Sequence, residues 1–208
     1  MYQPTHVIAS EAEVRAILGE VLSTQVNKVI DHIDHHCRTW IERSPFVAMT
    51  TMDRSGRLDV SPKGDPPGFV KVVDEKSLAI PDRPGNRRAD GFLNILQTSR
   101  IGLMFVVPKR REVLRVNGSA QIVRDPGLLD TMAVNDRVPV IATLVRVEEA
   151  FFHCGKAMIR SGMWEPESWG DIEGLSTYAE AVMDHAQPSR SLGELEGIFA
   201  RNETDRLY

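Results

Sequence analysis

Cysteine is scarce in this chain of 208 residues, long apolar runs are missing, and basic charge is not in excess. Cys37 and Cys154 stand far apart without CxxC spacing, which gives neither a disulfide framework nor a cysteine metal site and suits a reducing compartment. Both are expected to be buried thiols. No apolar stretch approaches the ~20 residues of a membrane span, and the start MYQPTHVIASEAEV lacks the basic segment and apolar core of a secretory signal. A cytoplasmic protein is expected. The formal net charge of −4 argues against a general nucleic-acid binder, which concentrates basic residues, so the expected partners are a small molecule and a second copy of the chain. The GxSxG, P-loop and GxGxxG patterns are all absent, which excludes their usual chemistries as the first reading. There are no repeats and no low-complexity segment.

What is present reads as helices at both ends and strands between. Ser10 with Glu13 forms a capping box, followed by Val14, Ile17, Leu18, Val21 and Leu22 at helical spacing. A second apolar stripe runs through Val26, Ile30, Ile33, Cys37 and Trp40, so two helices or one broken helix are expected up to Arg43. From Phe46 the texture changes to short β-rich runs: FVAMTTM, LDVS, GFVKVV, SLAI, IGLMFVV, VLRVNGSAQIV and VIATLVRVEEAFFHC, with DRSG and DPPG as turns. Short connections favour an antiparallel barrel with peripheral helices over a parallel doubly wound sheet. A short helix is expected from Pro126 to Met132, and the tail from Asp171 to Tyr208 reads as helix, with Leu192, Leu195, Ile198 and Phe199 on one face. The run Val113 to Val123 alternates cleanly: Leu114, Val116, Ala120 and Ile122 take one face, Arg115, Asn117, Ser119 and Gln121 the other.

Arg87 and Arg88 are the first candidate site residues. In IPDRPGNRRADGFLNIL, Pro84-Gly85 punctuates the chain, Asn86 suits an N-cap, and Ala89, Phe92, Leu93 and Leu96 recur at helical spacing. Two guanidiniums at a helix start, where unpaired N–H groups already favour anions, describe a phosphate site. The alternative is that both arginines extend into water or pair with Asp82 and Asp90. Ser61 and Lys63 share one face at the end of a strand, beside the GDPPG turn; Lys63 is a phosphate-binding candidate or an exposed turn lysine. In FFHCGKAMIRSGMW the chain leaves a strand and enters a short helix on which Lys156 and Arg160, four apart, share a face. His153 is an acid–base candidate or a strand-end polar residue. His32, His35 and His36 fall away from the apolar stripe on a helical wheel, so they are expected at the surface and no metal is expected.

The segments VSPKGDPPGFV, IPDRPGNRRADGFLNIL, IGLMFVVP, LRVNGSAQI and HCGKAMIRSGMW, in this order, resemble the FMN-binding split-barrel proteins related to pyridoxamine 5′-phosphate oxidase, and more closely a bacterial subgroup of probable FMN-dependent enzymes. The resemblance runs from about Trp40 to Trp164, and the ending RLY is also similar to that subgroup. It implies a mainly β, α+β fold: a six-stranded antiparallel split β-barrel over residues 44–165, a helical lead-in over 1–43, and a C-terminal helical extension over 166–208 packed on the same domain. It further implies a homodimer with FMN in clefts at the subunit interface. Pro81, Asp82, Arg87 and Arg88 match the block that holds the FMN phosphate. Ser61 and Lys63 match a strand that meets the flavin ring and phosphate. Arg115 and Asn117 fall on a strand lining the cofactor, and Lys156, Arg160 and Ser161 fall in the subgroup's own motif, assigned to the cofactor pocket across the dimer.

The implied activity is an FMN-dependent oxidoreductase of unidentified small substrate, with Lys63 and His153 as the catalytic candidates. The alternative is a non-catalytic flavin or haem binding or sensing protein, in which His153 would be the axial ligand. Where the oxidase proper carries an Arg and a Leu-Leu-Lys pattern, this chain has VSPKGD, and the oxidase's C-terminal Arg-x-His block has no counterpart. The resemblance therefore implies FMN but not vitamin B6 phosphate as substrate.

Overall fold

The computed structural model describes residues 1–205 and 207–208. It is an α+β fold built on one antiparallel sheet. The strands are β1 (Phe46–Met52), β2 (Leu58–Gly64), β3 (Lys71–Asp74), β4 (Ser77–Pro81), β5 (Arg100–Val106), β6 (Val113–Val123) and β7 (Ala142–His153), in the order β2-β1-β5-β6-β7-β4-β3. Seven strands stand where the resemblance implied six, and the run GFVKVV holds most of the seventh. The additional strand is β3, a four-residue edge piece that pairs only with β4 through a tight hairpin and an irregular register between Val72 and Asp74.

Period-two alternation decides which face is core. Val47 and Met49 of β1, Leu103 and Phe105 of β5, and Leu114 and Val116 of β6 are buried, while Ala48, Met104, Arg115 and Asn117 lie on the other face. The inner face curls around a single cluster that α3 (His35–Arg43) closes with Cys37 and Ile41, and α4 (Asp90–Thr98) with Ile95. Phe105 and Leu114 are fully excluded from water, so truncating Phe105 to Ala would cost about 3–5 kcal/mol. A smaller cluster of Ala79, Leu129, Met132 and Ala142 forms beneath α5 (Pro126–Asp130).

Where β6 meets β7 the register slips between Asn117 and Gly118. A Cβ on Gly118 would sit 2.0 Å from the Arg146 carbonyl oxygen. Only glycine permits that approach, and the bulge turns the outer face so that Asn117 Nδ2 donates to Glu149 at 3.0 Å.

The helical ends depart from expectation. Three helices, not two, precede the sheet: α1 (Glu11–Leu18), α2 (Ser23–Asn27) and α3. The Ser10–Glu13 capping box forms as read. However, Ile17, Leu18, Val21, Leu22 and Val26 stay exposed, and burial begins only near Ile30, which bridges to Ala150. After β7 come α6 (Lys156–Ser161), α7 (Tyr178–Ala186) and α8 (Leu192–Asp205), with Tyr178 stacked on Phe199 at 4.8 Å. Residues from Asp171 to Thr177, expected as helix, are not helical. Arg206 of the RLY ending lies outside the described residues. No described helix is long and apolar enough to cross a membrane.

Candidate functional site

The two ends of the sheet approach each other through side chains rather than through backbone pairing. β2 turns Asp59, Ser61 and Lys63 toward the same side as the buried Val47, Met49 and Thr51. Lys63 Nζ there reaches Asp82, just past β4, at 3.2 Å, and lies 5.5 Å from the centroid of the Phe92 ring on α4. Two residues on, Asp65 accepts from Arg83 Nε at 2.7 Å, with side chains only 1% and 14% exposed. Arg83 Nη2 also donates to the Met132 carbonyl at 2.8 Å, and the Tyr208 hydroxyl donates to the other Asp65 oxygen at 2.6 Å. That hydrogen bond, with burial, pushes the Tyr208 phenol above its ordinary pKa.

The arginine pair sits differently from the sequence expectation. α4 begins at Asp90 instead of Asn86, and its N-cap is Ala89 in the left-handed region with φ 58° and no side-chain cap. The Asn86 side chain turns inward on its own loop and accepts the Arg88 N–H at 3.0 Å, a local alternative that competes with helix. Arg87 is also left-handed, at φ 62°. Two consecutive turns of helix cannot pass through such residues, so the helix starts after them. Asp90 then supplies the acid a helix start favours, and Arg88 Nε bonds to it at 2.7 Å, which raises the guanidinium's pKa. Arg87 is exposed and makes no side-chain ion pair or hydrogen bond among the described residues.

The candidate residues therefore fall into three groups. Ser61, Lys63, Pro81, Asp82, Arg87 and Arg88 belong to β2, the end of β4 and the loop before α4. Arg115 and Asn117 are on the outer face of β6, where Arg115 lies 4.9 Å from the Phe151 ring centroid. Lys156 and Arg160 are exposed on α6 with Ser161, and the segment that follows this helix is tied to the β5–β6 turn, since Trp164 Nε1 donates to the Arg110 carbonyl at 2.7 Å. His153 also lies on the outer side, because the register runs Lys63, Val47, Phe105, Leu114, Phe152 across the inner face and His153 is the next residue along.

The thiols differ too: Cys37 is buried as expected, but Cys154 is exposed where β7 has ended and no element covers it. Burial first, and the Asp34 carboxylate second, push the Cys37 thiol up to about 12. His32 precedes α3 rather than sharing a helix with His35 and His36. Asp34 caps that helix through the Cys37 N–H at 2.8 Å, and ligand atoms of Asp34, His35 and His36 lie within 4.8 Å of one another.

Sequence reasoning missed Arg83 and Arg137, and it flagged Tyr208 only through the RLY ending, without its partners. With Asp82 they line a cavity of about 250 Å³. One local signal was present: Asn135-Asp136, between Val134 and Arg137, has the composition of a two-residue hairpin turn.

A family model described as pyridoxamine 5′-phosphate oxidase matches residues 33–154, more than half of the chain and the whole sheet. The chain belongs to the pyridoxamine 5′-phosphate oxidase family. Solved structures similar to this family member include HupZ from Group A Streptococcus, at 19% identity and TM-score 0.47 over 58% of this chain and 93% of that one. A putative pyridoxamine 5′-phosphate oxidase from Lactobacillus delbrueckii matches at 19% identity and TM-score 0.47, covering 59% and 95%. An FMN-binding protein from Syntrophomonas wolfei matches at 10% identity and TM-score 0.44, covering 68% and 95%. A search of curated proteins gave no significant match.

Proposed function

We propose that this family member binds FMN and acts as an FMN-dependent oxidoreductase on a small molecule, in a split-barrel homodimer whose second copy completes the cleft. The carrying observation is Arg87: an exposed guanidinium with no acidic partner among the described residues, next to Arg88 in the loop that leads into a nine-residue helix, whose Phe92 ring flanks Lys63. That donor set suits a phosphate, because paired N–H donors and a fixed positive charge match its oxygens. Arg87 and Arg88 would hold the phosphate, and Ser61 and Lys63 would face the ring half of the group. When bound, FMN would supply two-electron redox chemistry.

Lys63 has a second part in this reading. Asp82 fixes its ammonium and Phe92 flanks it, so a positive charge is held in place on one side of the cleft without reorganisation during reaction. The outer sheet face supports the dimer. Leu58 and Val60 there are each 64% exposed, beside Phe46 and Met104 at 38%, an apolar surface continuous with Arg115 and Asn117. A second copy seated on it would bring those two residues toward a cleft that one chain leaves half-lined.

The test is the visible spectrum of the purified protein, the mass of any molecule released on denaturation, and the solution mass of the assembly. A two-banded flavin spectrum, the mass of FMN and a dimer are expected. Lys63→Ala should slow reduction more than it weakens binding, and Arg88→Ala should mainly weaken FMN affinity. A colourless protein that also fails to take up added FMN would defeat the reading. Non-catalytic binding remains the rival in the same test: FMN that no reductant in a broad screen reduces faster than free FMN would favour it.

A further inference from the structure

We propose that Asp34, His35 and His36, at the start of α3, bind a divalent transition-metal ion of the zinc class. No residue of the flavin reading takes part, so the two stand or fall separately. The ligand atoms of these three side chains lie within 4.8 Å of one another. Ligands held about 2.0–2.2 Å from one zinc ion stand about 3–3.5 Å apart, a gap that exposed imidazoles close by turning about their side-chain torsions. The histidine set read from the sequence was different. His32 lies outside the helix and is hydrogen-bonded to Asp31 at 3.0 Å, and Asp34 stands in its place.

The backbone that carries the trio is fixed on both sides. Ile33 and Cys37 are buried, the Ile33 N–H donates to the Glu75 carbonyl at 2.7 Å, and the Arg38 N–H donates to the Asp34 carbonyl at 2.9 Å. The side chains between them are free. His35 and His36 are exposed, and neither imidazole makes a hydrogen bond or ion pair among the described residues. Their ring centroids are 3.7 Å apart, which keeps a nitrogen of each within reach of one point. Asp34 Oδ1 accepts from the Cys37 N–H at 2.8 Å and caps the helix, while Oδ2 accepts no N–H or O–H among the described residues. The helix start carries partial positive charge that opposes a cation, and the Asp34 carboxylate is the group that offsets it.

The donor set selects the class of ion. Two imidazoles and one carboxylate suit zinc, nickel or copper, whereas magnesium and calcium take oxygen ligands. Cys37, next in sequence, belongs to the core cluster and adds no thiolate. Three consecutive residues reach an ion from one side only. Its remaining positions face solvent and hold water, the open arrangement that lets a zinc ion exchange ligands, in contrast to a closed structural site.

Titration calorimetry on the full chain, carrying no polyhistidine tag, tests this with zinc chloride in one arm and magnesium chloride in the other. About one zinc ion per chain is expected, and no binding of magnesium. His35→Asn and His36→Asn should each weaken zinc binding about tenfold or more, since loss of even an outer partner costs a metal site that much. Asp34→Asn removes the carboxylate and keeps the helix cap, because asparagine caps as well as aspartate does; it should weaken zinc binding likewise. His32→Asn, outside the trio, should leave zinc affinity unchanged. Failure of the parent chain to bind zinc, or magnesium bound as tightly as zinc, would overturn the proposal. So would parental zinc affinity in any of the three trio variants, or an equal loss in His32→Asn.

Discussion

Arg83 and Arg87 are four residues apart and live in different media. Arg83 is nearly enclosed: Asp65, the Met132 carbonyl and the Tyr208 ring surround its guanidinium. Arg87 projects from a left-handed loop residue with no partner among the described residues. A buried guanidinium must be matched by charge and hydrogen bonds, so Arg83 is committed to joining the sheet ends. An exposed one carries no such debt to the fold, and its charge is available to a ligand.

The largest effect should come from breaking the enclosed pair. Arg83→Met leaves the Asp65 carboxylate buried without its cation, and a loss of about 3–5 kcal/mol is expected in urea unfolding. Changing Asp65 to Leu in the same chain should recover most of that loss, since a packed apolar pair can replace a buried ion pair; no recovery would mean that Arg83 acts through Met132 and Tyr208 instead. Next comes the exposed arginine. Arg87→Ala should raise the FMN dissociation constant about tenfold, close to 1.4 kcal/mol, with unfolding stability within about 0.5 kcal/mol of the parent. A stability loss like that of Arg83→Met would erase the distinction.

A smaller effect is expected at the edge of the enclosed group. Tyr208→Phe removes one hydrogen bond to Asp65 and should cost about 1 kcal/mol, read as a shift of the urea midpoint at unchanged slope. The contrast recurs in the thiols, with no effect at neutral pH. Cys154 should react with a thiol reagent in the native state while Cys37 reacts only on unfolding. The folded Cys37 pKa is raised from 9.0 to about 12, so the folded state holds the neutral thiol. Its contribution is complete below pH 9 and is lost as pH rises from about 9 to 12, because the unfolded thiol ionises first. A Cys37→Ala chain should show less alkaline loss over that window.

Much of the sheet was legible because strand alternation is a local code. The run Val113 to Val123 forms β6 over the same residues, and FVAMTTM forms β1. The start of α4 was misread for a local reason as well: Asn86 has the composition of an N-cap but spends its oxygen on the Arg88 N–H, and Ala89 gives no sequence warning of a left-handed backbone. The order of motifs carried the family, and the match over residues 33–154 agrees with it. The exposure of α1 and α2 was not legible, since an amphipathic stripe states that a face is apolar and not what covers it.

By itself, then, the sequence determined the strand faces, the Ser10 helix cap and the family, all of which depend on residue type and short-range spacing. Tertiary structure alone decided that Asp65 would meet both Arg83 and Tyr208, the latter 143 positions away, and that Arg137 would stand beside them. Such pairs exist only after the sheet has curled and its ends have met. The energy that holds them comes from burial, and no short window of residues encodes how much water the finished fold excludes.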